Sequence, residues 1–243
     1  MNLIIDVGNS FAKLAVFQKD ELVFFDRAEK EELERKISNL SENFPKIDAV
    51  ISSNVSKTSF SLPVGLSKKP KNISLSPETR LPFKNLYATP DSLGNDRKAL
   101  AAAAAKHYPQ ENVLVIDAGS CITYDFKNDH NEYLGGGISP GLKMRFRALN
   151  TFTANLPLIE KQEQLHLIGD TTVNSINSGV VYGFIKEVDG IIEEYKSQQK
   201  NLVTIITGGD AEFLSVSIKN SIFANSNFLL EGLNHILEFN NSQ

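Results

Sequence analysis

Leu3-Ile4-Ile5-Asp6-Val7-Gly8-Asn9-Ser10 reads as a short buried strand that runs straight into a turn. Half a chain later Val113-Leu114-Val115-Ile116-Asp117-Ala118-Gly119-Ser120-Cys121 repeats it. A hairpin follows each copy. After the first it is Phe11 to Phe17 with Glu21 to Phe25, and after the second it is Ile122 to Phe126 with Tyr133-Leu134. A carboxylate and a Gly turn that recur with the same downstream topology indicate a duplicated unit. The expected halves are residues 1–110 and 111–243.

The intervening chain alternates helix and strand. Lys30 to Leu40 has the spacing of a charged amphipathic helix, and Ala49-Val50-Ile51 is a buried strand ending in Ser52-Ser53-Asn54. Residues 56–90 are punctuated by Pro and polar residues, carry short strand-like pieces and read as a variable connection. Ser92 to Tyr108 is a helix, almost all alanine from Ala99 to Ala105. A long helix is expected from Thr171 to Lys196. Val203-Thr204-Ile205-Ile206 is a last buried strand, stopping at Thr207-Gly208-Gly209-Asp210 before a further helix. The fold class is therefore α/β with duplicated halves.

Composition narrows the function. The chain has 243 residues, 41% hydrophobic and 22% charged, enough apolar material for a full core. A net charge of −4 gives no footprint for nucleic acid, so no such partner is expected. No apolar run approaches the roughly 18 residues of a membrane span, and the start lacks the basic region of a signal peptide. The single cysteine, Cys121, excludes an internal disulfide and reads as a small buried residue. A reduced, cytoplasmic setting fits. The four histidines show no metal-ligand spacing.

The chemistry concentrates in the Gly turns. Asp6 to Ser10 and Asp117 to Cys121 lie at the carboxyl ends of buried strands, where α/β sheets place ligands. Glycine lets backbone N–H groups approach a phosphate, and Ser or Asn adds a side-chain donor. An Asp beside phosphates requires a cation between them, and Lys13 can add a point charge. Thr207-Gly208-Gly209 supplies a third turn, suited to adenine or ribose. Asp96-Arg97 opens the alanine helix. Asp96 is either a helix-start carboxylate or a general base, and in the second reading Arg97 forks onto an anionic substrate group. Ser175, Gly179 and Gly183 form a small-residue stripe with two readings, packing within one chain or a two-fold interface.

The duplicated turns and hairpins resemble the sugar kinase, heat-shock ATPase and actin superfamily, with its ribonuclease-H-like halves. More narrowly, the chain is similar to the type III pantothenate kinases. The likeness runs through Asp6-Val7-Gly8-Asn9-Ser10 with Lys13, Gly94-Asn95-Asp96-Arg97, Asp117-Ala118-Gly119-Ser120, Gly136-Gly137-Ile138 with Pro140-Gly141, and Gly169-Asp170-Thr171-Thr172. It ends with Ser178-Gly179, Thr207-Gly208-Gly209 and Leu230-Glu231-Gly232-Leu233.

That resemblance implies ATP-dependent phosphorylation of pantothenate, the first step towards coenzyme A. Asp6, Val7, Gly8, Asn9, Ser10, Phe11, Ala12, Lys13 and Ser120 would bind ATP. Asp96 would accept the proton. Tyr87, Gly94, Asn95, Asp96, Arg97 and Thr172 would hold pantothenate. Asp117 would be a ligand of a monovalent cation, K⁺ or NH₄⁺, beside ATP with Mg²⁺ or another divalent cation. A homodimer that completes the pantothenate site across its interface is implied as well. Two positions depart from the family pattern. The second loop has Ser120-Cys121 where the family usually has Thr-Ala, and Asn95 stands where a small residue is common. Another small-metabolite kinase or a phosphatase of the same fold, and a non-catalytic regulator, are the rival readings.

Overall fold

The computed structural model describes residues 1–8, 11–55, 60–62, 71–220 and 222–242. Its contacts divide the chain into two compact units. The first holds Met1–Pro109, Asn131–Tyr133 and Asn227–Gln243, and the second holds Gln110–His130 and Leu134–Ser226.

In the first unit the apolar run around Leu3-Ile4-Ile5 becomes β1 (Asn2–Val7), buried at every position. It lies between β2 (Ala12–Gln18), antiparallel, and β4 (Ala49–Asn54), parallel. β3 (Glu21–Ala28) and β5 (Lys71–Ser74) complete a sheet in the order β3-β2-β1-β4-β5. The helix α1 (Leu33–Asn43) turns Leu33, Ile37 and Leu40 onto Leu3, Ile5, Val7 and Leu14, an i, i+4, i+7 stripe on a strand face of period two. The short β6 (Lys84–Asn85) pairs with Glu132 and Tyr133. The short strand-like pieces expected within residues 56–90 are thus β5 and β6.

The alanine helix is α2 (Asn95–His107), and every residue from Arg97 to Ala105 is buried. A helix covered all round needs small or apolar residues on all faces, which explains the alanine run.

The second unit repeats the topology. β7 (Asn112–Ala118) is antiparallel to β8 (Cys121–Lys127), which neighbours β9 (Glu132–Pro140). On the other side β7 is parallel to β10 (Leu202–Thr207), which is parallel to β11 (Phe223–Ala224). The core packs Leu114, Ile116, Ile122 and Tyr124 against Phe146 of α3 (Leu142–Phe152) and against Phe184, Val188 and Ile192 of α5 (Gly183–Gln198). The expected long helix is α4 (Thr172–Asn177) followed by one π-helical stretch, Ser178–Tyr182, and then α5. A short α6 (Ala211–Ser217) follows the Gly208-Gly209 turn.

The last helix, α7 (Phe228–Asn241), departs from the expected division at residue 110, because it groups with the first unit. Polar contacts with β1 and α2 explain this. Asn2 donates to Asn234 at 2.8 Å and to Glu238 at 2.5 Å, and His107 meets Glu231 at 2.8 Å. Among the described residues no helix is long and apolar enough to cross a membrane.

Candidate active site

In the first unit Asp6 ends β1 with Lys13 opposite it on β2 and Ser53 opposite it on β4. Same-register neighbours share a sheet face, so the carboxylate lies between an ammonium and a hydroxyl. Asp6 is only 7% exposed and Ser53 is fully buried. Burial pushes the Asp6 carboxyl above the usual range. Lys13 and Ser53 pull it back, and the charge of Asp96 adds to the rise. Asp6 and Asp96 therefore feel one another, although they are far apart in sequence. The Ser53 hydroxyl has no hydrogen bond of normal geometry among the described residues; it acts on Asp6 as a nearby dipole. The turn after β1 is closed by Gly8 N–H donating to the Phe11 carbonyl at 3.1 Å. Arg27 lies 5.0 Å from the Phe11 ring centre. Asn9 and Ser10 lie outside the described residues.

Asp96 sits in the first turn of α2, where free backbone N–H groups favour negative charge. Its Oδ1 accepts from Arg97 N–H at 2.8 Å. Gly94 precedes the helix, and a Cβ there would come closer than 3.0 Å to that carboxylate oxygen. Asn95, the departure from the family pattern, is occupied in structure: its amide donates to the Leu75 carbonyl at 3.0 Å. Lys98 is buried and reaches the Ser76 carbonyl at 3.4 Å, and burial lowers its pKa. Both residues tie the segment after β5 to the start of α2.

Arg97 is 4% exposed, and its guanidinium lies 5.5 Å from the Tyr87 ring centre and 6.0 Å from that of Tyr133. Two aromatic faces fix a planar cation in one orientation. The first unit thus brings together Asp6, Lys13, Asp96, Arg97 and Tyr87. Sequence reading missed Ser53 and Tyr133. The strand-end rule that singled out Asp6 could have found Ser53, which ends a parallel neighbour.

In the second unit Asp117 ends β7, beside Thr207 of β10 and Thr123 of β8. Gly208 has φ +94°, and a Cβ there would come within 3.0 Å of Asp117 Oδ1 and the Ala118 carbonyl oxygen. Only glycine fits this left-handed, crowded position. Asp210 N–H donates to the Ala118 carbonyl at 3.0 Å, so the two Gly turns are joined backbone to backbone. Burial raises the Asp210 carboxyl, and Lys143 and Lys161 counter it. Ser120 is exposed at the tip of its turn. Cys121 is exposed too, which corrects the expectation of a buried thiol. It serves the turn by its backbone, its carbonyl accepting from Gly119 N–H at 2.9 Å. Thr172 is exposed at the start of α4, whose cap Thr171 accepts from Asn174 N–H at 3.1 Å.

A family model for type III pantothenate kinases matches residues 2–194. The chain belongs to the type III pantothenate kinase family. It is 51% identical over 243 residues to a type III pantothenate kinase of Christiangramia forsetii, with 100% of both chains covered. It is 47% identical to one of Flavobacterium johnsoniae, with 98% of each chain covered. Solved structures support the fold. A Campylobacter jejuni chain described as a Baf-family transcriptional activator aligns with TM-score 0.63 and 23% identity, covering 99% of this chain and 100% of that one. A glucokinase from an Antarctic psychrotroph aligns with TM-score 0.51 and 11% identity, covering 98% of each. The fold is that of the sugar kinases and actin-like ATPases, as expected from the duplicated turns.

Proposed function

We propose that the chain transfers the γ-phosphoryl group of ATP to the primary hydroxyl of pantothenate, forming 4′-phosphopantothenate on the way to coenzyme A. Family membership carries the reaction class. The placement of Asp96 carries the mechanism, because its carboxylate is fixed by a backbone N–H, lies within electrostatic reach of Asp6 and precedes a caged arginine. Phosphoryl transfer asks the protein for alignment and charge neutralisation more than for covalent chemistry.

The residues divide the work. Asp96 accepts the proton of the attacking hydroxyl as the new O–P bond forms and the bond from the γ-phosphorus to the ADP leaving group breaks. Arg97, held by Tyr87 and Tyr133, pairs with the pantothenate carboxylate. Gly94, Asn95 and Thr172 complete that pocket. The first turn, Asp6 to Lys13, and Ser120 hold the ATP phosphates, with Lys13 supplying positive charge. A divalent ion such as Mg²⁺ would supply charge neutralisation at the phosphates when bound. Such an ion would be held by the ATP phosphates and water with one or two carboxylates, the usual arrangement for Mg²⁺.

A monovalent cation, K⁺ or NH₄⁺, fits at Asp117. The Asp117 carboxylate oxygen and the Ala118 carbonyl oxygen both lie close beside Gly208, and they are the hard donors such ions take. The ion would add fixed positive charge near the phosphates.

The active form is a homodimer in which Thr172 of one subunit completes the pocket of the other. Gly179 and Gly183 support it. A Cβ at either meets no atom within 4 Å, and both glycines are exposed, as is Ser175. Ile176, Val180 and Phe184 instead point into the core of their own unit. The stripe therefore lies bare on the outer side of the helix, and Leu167 and Ile168, 73% and 84% exposed, precede the same helix.

The direct test is an assay of purified protein with Mg·ATP and K⁺ against pantothenate and a panel of other hydroxyl metabolites. Phosphorylation of pantothenate far above the panel is expected. Turnover of another alcohol in preference to pantothenate would overturn the reading.

A further inference from the structure

The Pro140–Gly141 peptide joins β9 to α3 and is held at both of its polar ends. Its carbonyl oxygen, on Pro140, accepts from Arg145 Nε at 2.9 Å. Its N–H, on Gly141, donates to the Ser120 carbonyl at 3.2 Å. One peptide plane thus links the Ser120 turn to Arg145.

Arg145 is in turn fixed from four sides. Its Nη2 donates to Glu187 Oε2 at 2.7 Å and to Ser139 Oγ at 3.1 Å. Its backbone N–H donates to the Gly141 carbonyl at 3.1 Å, and its guanidinium lies 5.0 Å from the Phe184 ring centre. The second oxygen of Glu187 accepts from the Tyr124 hydroxyl at 3.1 Å. Tyr124 is nearly buried, and both burial and Glu187 push its pKa up, so it stays a donor. The Arg145–Glu187 pair is itself mostly shielded, with side chains 20% and 25% exposed. None of these side chains belongs to the proposed substrate machinery.

We infer that Arg145 and Glu187 are positioning residues that hold the Ser120 turn in its ATP-binding place through the Pro140–Gly141 peptide. The inference rests on the reading that Ser120 contacts ATP. The chemistry requires arginine: its planar fork bonds a carbonyl through Nε and a carboxylate through Nη2 at once. Lysine carries its donors on one compact nitrogen and cannot reproduce the fixed spacing of Nε and Nη2. Loosening the peptide frees the Ser120 carbonyl, and small misplacements at a phosphate site are costly.

The experiment compares Arg145→Lys, Glu187→Gln, Tyr124→Phe and Ser120→Ala by steady-state kinetics, with Tm recorded for each. Ser120→Ala and Arg145→Lys should each raise KM for ATP by about five- to twentyfold, with KM for pantothenate unchanged within about twofold. Glu187→Gln should give a smaller rise in the same parameter, and the Arg145→Lys/Glu187→Gln double variant should be no worse than Arg145→Lys alone. If Arg145→Lys does not fold, Glu187→Gln and Tyr124→Phe carry the same test on ATP. A purely structural role would lower Tm and leave both KM values in proportion. An effect of Ser120→Ala on ATP without one from the Arg145, Glu187 or Tyr124 variants would overturn the positioning role alone. A Ser120→Ala enzyme with normal KM for ATP would remove the premise, and the inference with it.

Discussion

The carboxylate of Asp96 stands in the space that a side chain at Gly94 would need, since a Cβ there would come closer than 3.0 Å to Oδ1. The glycine before α2 therefore sets where the proposed base can point. Gly94→Ala should displace the carboxylate by rotation of its side chain and leave the buried body of the helix intact. We expect kcat to fall about ten- to a hundredfold with Tm nearly unchanged. A Gly94→Ala enzyme with full turnover would show that the carboxylate has room to spare.

Asp6 links stability to pH. Its folded-state pKa is raised by burial, so the folded protein holds the proton more tightly than the unfolded chain. That contribution is complete below the ordinary carboxylate value and is lost as pH rises through the raised one. Above that raised value the ionised Asp6 therefore costs stability. Asp6→Asn should gain Tm over the natural protein as pH rises through that value, with the gap closing in acid, while kinase activity is lost. A Tm difference that does not change with pH would place the charge of Asp6 outside the stability balance.

Much of this arrangement is legible in the sequence because buried parallel strands are continuous apolar runs. Leu3 to Ile5 and Val113 to Ile116 stand out, and the Asp-x-Gly turns mark their carboxyl ends. The alanine run announced a helix, although not that it is covered on every side. Long-range pairings left no local trace. Nothing near Asn234 or Glu238 shows that they meet Asn2, so the sequence alone does not tie α7 to β1. Tyr133 read as an ordinary strand residue, and only the fold carries it to Arg97. The four-residue β5 and two-residue β6 are too short for a period to appear.

Asp117→Ala should alter the response to monovalent salt. The natural enzyme should slow when K⁺ is replaced by a large organic cation, and the variant should be slow and indifferent to the exchange. Retained K⁺ dependence in the variant would move the cation elsewhere.

Gly179→Leu tests the assembly. The added side chain meets open space within its own subunit, so the fold should tolerate it. A bulky group on a self-complementary two-fold surface should shift dimer to monomer, and activity should fall with dimer content. Light scattering and turnover measured on the same samples decide this. A monomeric variant with normal pantothenate turnover would separate the stripe from catalysis.

The most direct test of the central claim is single-turnover phosphorylation of pantothenate by Asp96→Asn beside the natural enzyme, with binding of pantothenate measured independently. The amide keeps the shape and can still accept from Arg97 N–H, but it cannot take a proton. We expect the chemical step to slow by at least about 10²-fold with pantothenate affinity little changed. Near-normal phosphorylation by Asp96→Asn would contradict the account, because phosphoryl alignment alone would then carry the rate.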